Sequence, residues 1–168
     1  MSSSEAPIRR RRRLAAAAPL LALAGCGFQL KGAAELRFGS IALAGFAPRS
    51  PLADELSSTL ARSVTVLPAP DKADVVLQAL VEQRLRRAAA FTASGQVRDI
   101  QLRTIFKYSA RTPAERELLA PSQIELYREM TFVEAKTLGK EQEEQALYRE
   151  MQSDIVRQVM LRLSTIRL

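Results

Sequence analysis

A long period-two alternation between Asp74 and Ala110 restricts the fold more than any other feature of the chain. Val75, Leu77, Ala79, Val81 and Leu85 share one parity, while Gln78, Glu82, Arg84 and Arg86 share the other, the pattern of a strand buried on one face. Beyond a turn signal at Ser94-Gly95, Ile100, Leu102, Phe106 and Tyr108 alternate with Asp99, Gln101, Arg103 and Lys107. A two-residue loop at Ser94-Gly95 pairs Ala93 with Gln96 and sets Val81 opposite Tyr108, Glu82 opposite Lys107 and Arg86 opposite Arg103. Both faces come out uniform in that register. It predicts a solvent-facing basic strip of Arg84, Arg86, Arg103 and Lys107, with Arg87 and Arg98 on the same hairpin.

After a loop, "RTPAERELLAPS", a third alternating run places Ile124, Leu126, Met130 and Phe132 on one face. Three strands with a common apolar face need a cover. From Gly139 to Leu168 the period becomes helical, and Leu147, Met151, Ile155, Val159, Leu163 and Ile166 form the stripe that supplies it. Glu141, Glu143 and Glu144 stand at the start of this helix, where carboxylates favour the dipole. A shorter helix begins at Ser50-Pro51, N-cap and first helical position, and shows Leu52, Leu56 and Leu60 on one side up to about Arg62. Arg37 to Phe46 reads as a strand, and "SVTVLP" as a short edge strand closed by Pro68 and Pro70. The fold class expected is α+β, a two-layer sandwich of a mainly antiparallel β-sheet covered by two helices. Residues 26–168 form its single domain.

The first residues carry an address. Arg9 to Arg13 precede an apolar run from Leu14 to Leu23 and the small residues Ala24 and Gly25. A cationic run, an apolar core too short to span a bilayer and a small-residue site make residues 1–25 a secretory signal peptide; the twin-arginine route is the alternative to the general one, although the residues after the arginines complete its motif poorly. Leu23-Ala24-Gly25-Cys26 resembles the lipobox of bacterial lipoproteins, in which the cysteine receives diacylglycerol and its new amino terminus an acyl chain. Cys26, the single cysteine, is then a lipid attachment point. In lipoproteins of this kind the residue after the cysteine can direct retention, and Gly27, in place of aspartate, points to the outer membrane.

Charge and composition exclude most chemistry. The formal charge is +7, but five arginines and one glutamate within residues 1–25 account for four of those charges, so the mature domain gives little support to a nucleic-acid partner. The chain contains no histidine and one cysteine, which removes the commonest general base and metal ligand and any intramolecular disulfide. No phosphate-binding glycine loop, metal-ligand spacing or paired nucleophile and base occurs. The reading is a non-enzymatic protein with no catalytic residues, no metal and no cofactor beyond the lipid on Cys26.

The segments "CGFQLKG" and "LGKEQEEQALYREMQSDIVRQVMLRLSTIRL", in this order around the long hairpin, resemble the LptE family of lipopolysaccharide-transport lipoproteins. The resemblance implies a two-layer fold that plugs the LptD outer-membrane β-barrel, assists its assembly and binds lipopolysaccharide. It also implies a lipopolysaccharide contact at Lys140, the lysine before the acidic helix start. Family members can carry a basic residue at the hairpin tip; Phe91 to Gly95 has none, which shifts that contact to Arg98 or to the strip behind it. The expected placement is the periplasmic side of the outer membrane, lipid-anchored. The other reading of the residues is a stand-alone envelope or lipopolysaccharide-binding lipoprotein with no barrel partner.

Overall fold

The computed structural model describes residues 35–132 and 137–168, with side chains from residue 139 onward in the second stretch. The segment read as a signal peptide and Cys26, the expected lipid attachment point, lie outside the described residues. In chain order come β1 (Ser40–Ala44), α1 (Pro51–Leu60), β2 (Thr65–Leu67), a 3-10 turn (Pro70–Lys72), β3 (Val75–Phe91), β4 (Val97–Arg111), β5 (Glu117–Thr131) and α2 (Thr137–Leu163). One five-stranded sheet results, in the order β2-β1-β3-β4-β5. It is mixed but mostly antiparallel, departing from the expected pairing at β1. The β3-β4-β5 meander is antiparallel, but β1 runs parallel to both β2 and β3. The reason is connectivity: α1 carries the chain back along the sheet, so β2 starts again in the direction of β1.

Local chemistry fixes this corner. Ser50 caps α1 by accepting from the Ala53 amide at 3.1 Å, with Pro51 at the first helical position. Leu52, Leu56 and Leu60 then bury together at 3% exposure or less. Asp74 ties the start of β3 to β1, accepting from the Gly39 and Ser40 amides at 2.9 and 2.8 Å. Gly45 turns the chain out of β1 at φ +76, where a Cβ would stand 2.4 Å from the Ala79 carbonyl oxygen, so no other residue fits. The main core joins Ile41, Val75, Leu77, Phe106 and Tyr108 to the α1 leucines and to Ile155, Val159 and Leu163 of α2. A second cluster under the first half of α2 gathers Ile100, Leu102, Met130 and Met151.

Three expectations are corrected. The β3–β4 loop holds three residues, because Thr92 closes on Gln96 through its amide and Gly95 takes the left-handed position at φ +81. The β4–β5 connection is the same kind of turn, closed by Thr112 on Arg116 with Glu115 at φ 63, so the second half of the expected long loop, from Glu117 to Ser122, is strand β5. Pro121 is accommodated there because β5 is a sheet edge. The largest correction is a β-bulge at Leu80, between the pairs Ala79–Tyr108 and Val81–Lys107. It inserts one residue into β3 and inverts its parity from Val81 onward. Glu82 then faces Phe106, Arg84 faces Thr104 and Arg86 faces Leu102.

Candidate functional site

On β4 it is Leu102, Thr104 and Phe106 that are buried beneath the helices. Their β3 partners Glu82, Arg84 and Arg86 therefore point into the helical layer, and Val81 and Leu85 turn to the far face. Each inward side chain meets a partner. Glu82 accepts the Ser50 hydroxyl at 2.8 Å, anchoring the N-cap of α1 to the sheet. Arg84 donates to Gln152 Oε1 at 2.7 Å, and its guanidinium lies 5.3 Å from the Tyr148 ring centroid. Gln152, 8% exposed, passes the connection on by donating to Glu55 Oε2 at 2.6 Å and to the Pro51 carbonyl at 3.1 Å. Tyr148 donates its hydroxyl to the Leu85 carbonyl at 3.0 Å; burial, aided by the charge of Glu144, pushes its pKa up and keeps it a neutral donor.

Arg86 ends this row. Its Nε lies 3.2 Å from Glu144 Oε2, its guanidinium sits 5.5 Å from the Phe132 ring centroid, and half of the side chain stays exposed. One turn earlier on α2, Lys140 pairs with Glu143 at 2.7 Å and is only 20% exposed. Arg86 and Lys140 line the same open groove of about 490 Å³, between Phe132, Tyr148 and the α2 carboxylates Glu141 and Glu144. Two cations far apart in sequence thus share one cleft with two aromatic walls. The carboxylates do not serve the helix dipole, the role their place in the sequence suggests. The helix starts at Thr137, its first turn holds no acid, and dipole effects fade within that turn; Glu143 and Glu144 act as ion-pair partners instead.

The expected strip of Arg84, Arg86, Arg103 and Lys107 is divided between the two faces of the sheet. Arg103 stands on the far face opposite Leu85 and Tyr127, with its guanidinium 2.5 Å from Glu125 Oε1. That hydrogen bond is the main reason the Glu125 carboxyl is held below its ordinary value of 4.5. Lys107 lies on the same far face, exposed and opposite Val81 and Gln123. Arg98, near the start of β4 and 60% exposed, pairs with Asp99 at 2.8 Å. Sequence reasoning missed Arg128, which points inward from β5 to Asp154 of α2 at 3.0 Å and opens on a second groove with Arg149 and Arg157. A signal for it existed: Arg128 has the parity of Leu126 and Met130.

Solved structures share this architecture. Lipoprotein B of Nitrosomonas europaea is 27% identical, with a TM-score of 0.69 over 82% of this chain and 90% of its own. The rare lipoprotein B of Shewanella oneidensis, at 17% identity, has a TM-score of 0.64 over 76% of this chain and 95% of its own. A minor lipoprotein of Acinetobacter baumannii, at 19%, scores 0.63 over 77% and 93%. These two show the fold alone. The class these likenesses define is a fold, a mixed five-stranded sheet under two helices, which the chain shares with these bacterial lipoproteins. No curated protein matches the chain. The family described as "LptE: Lipopolysaccharide-assembly" matches residues 38–163, and the chain belongs to it. It is a family of lipopolysaccharide-assembly lipoproteins and not of enzymes.

Proposed function

We propose that the protein is an outer-membrane lipoprotein, acylated at Cys26, that seats in an LptD-type β-barrel as plug and assembly partner. In that position it holds lipopolysaccharide phosphates in the groove of Arg86 and Lys140. The observation that carries this reading is the meeting of those two cations in one groove, on a chain that belongs to a lipopolysaccharide-assembly family. Guanidinium and ammonium groups bind phosphate through charge-assisted hydrogen bonds, the Arg fork adding directional fit. Phe132 and Tyr148 give the same groove apolar walls suited to a sugar or acyl surface. Among the described residues no helix is long and apolar enough to cross a membrane, which fits attachment through a lipid.

Within this reading Arg84 positions Gln152 and Tyr148 behind the groove. Arg98, Arg103 and Lys107 lie outside it and serve other surfaces. Purification of the acylated protein from native membranes tests the proposal: a one-to-one complex with a large outer-membrane barrel, carrying lipopolysaccharide, is expected. A protein that comes away alone would overturn the barrel partnership, and release of a Cys26→Ala variant from the membrane checks the anchor.

A further inference from the structure

The two cations of the groove are not free. Arg86 is held by Glu144 at 3.2 Å and Lys140 by Glu143 at 2.7 Å, and Glu141 lines the same cleft. Charge in this cleft is close to balanced, so an anion gains little from the bulk field and must displace a carboxylate to enter. Both carboxylates can yield. Glu144 and Glu143 are 24% and 46% exposed, so each returns to water when its partner leaves.

We propose that Glu143 and Glu144 make the groove an ion-pair exchange site selective for a phosphomonoester. This rests on the reading of Arg86 and Lys140 as the phosphate-binding pair. A monoester carries about −1.5 to −2 charges at pH 7 and three terminal oxygens, enough to take both cations from monoanionic carboxylates. A phosphodiester carries one charge and offers only two unesterified oxygens, no better than the glutamate it has to replace. The paired carboxylates therefore reject the diester headgroups of ordinary phospholipids while a monoester-bearing lipid is accepted. Without them the groove would bind any anionic surface.

The test compares wild type, Glu144→Gln and Glu143→Gln/Glu144→Gln in the full chain. Binding is measured to intact lipopolysaccharide, to enzymatically dephosphorylated lipopolysaccharide, and to vesicles of phosphatidic acid or phosphatidylglycerol at matched total charge, with inorganic phosphate as free competitor. Wild type is expected to prefer phosphatidic acid over phosphatidylglycerol. The double variant is expected to bind lipopolysaccharide about three- to fivefold tighter, the factor carried by ion pairs of this exposure, and to lose that preference. Competition by inorganic phosphate shows whether the monoester alone suffices or the lipid is needed. Unchanged or weaker lipopolysaccharide binding by the double variant, with an unchanged melting midpoint, overturns the exchange. If the variants show the vesicle effects but no chain binds lipopolysaccharide, the exchange stands and the lipopolysaccharide reading falls.

Discussion

The two halves of β3 are built from one strand yet serve opposite purposes. Before the bulge, Val75, Leu77 and Ala79 face the helices and are buried at 6% exposure or less. After it, the positions that face the same helices hold Glu82, Arg84 and Arg86. One inserted residue, Leu80, separates an apolar core from a polar seam that ends in an open groove. The difference teaches how a small domain can hold charged residues between its layers: they are placed where the core has already been closed by α1 and the end of α2. Each is also matched to a partner and keeps part of its surface in water.

The two halves should therefore respond differently to mutation. Leu77→Ala, in the fully buried first half, is expected to cost about 2–5 kcal/mol in chemical denaturation. Gln152→Ala removes the link between Arg84 and Glu55 and should cost about 0.5–1.5 kcal/mol, since Arg84 is exposed and Glu55 half-buried, so each can turn to water when its hydrogen bond is lost. A loss as large as that of Leu77→Ala would mean that the seam is as much core as the first half. Arg86→Gln and Lys140→Gln should each change stability by no more than about 0.5 kcal/mol. Each should weaken lipopolysaccharide binding about tenfold in a direct binding assay. Arg103→Gln, on the far face, should leave that binding unchanged. Its effect is a pH signature: the Glu125 pKa is depressed in the folded state, so the pair's contribution is present above 4.5 and lost as pH falls through the folded value. Melting curves of Arg103→Gln and wild type should converge on acidification.

Much of this was legible from residues alone. Period-two runs located the three long strands, Ser50-Pro51 located the start of α1, and the stripe from Met151 to Leu163 located the buried side of α2. The mixed pairing of β1 was not legible, because a short apolar strand carries no mark of direction. The bulge was hidden for a similar reason: Leu80 lies between Ala79 and Val81 with no glycine to mark an irregular backbone. Its effect was masked too, since Arg84 and Arg86 alternate with apolar residues as solvent-facing positions do. The shorter loop assumed at Ser94-Gly95 matched Arg86 with Arg103 and so placed both on one face, although the strand parity separates them. Lys140 entered through family resemblance, and only the fold brought it to Arg86.

The most direct test sets one face of the sheet against the other. Arg86→Glu/Lys140→Glu and Arg103→Glu/Lys107→Glu chains are purified from native membranes with whatever barrel accompanies them, and bound lipopolysaccharide is quantified per complex. The account predicts that the first pair loses lipopolysaccharide while keeping the barrel and that the second pair retains both. Equal loss from the two pairs, or none from the first, would contradict it.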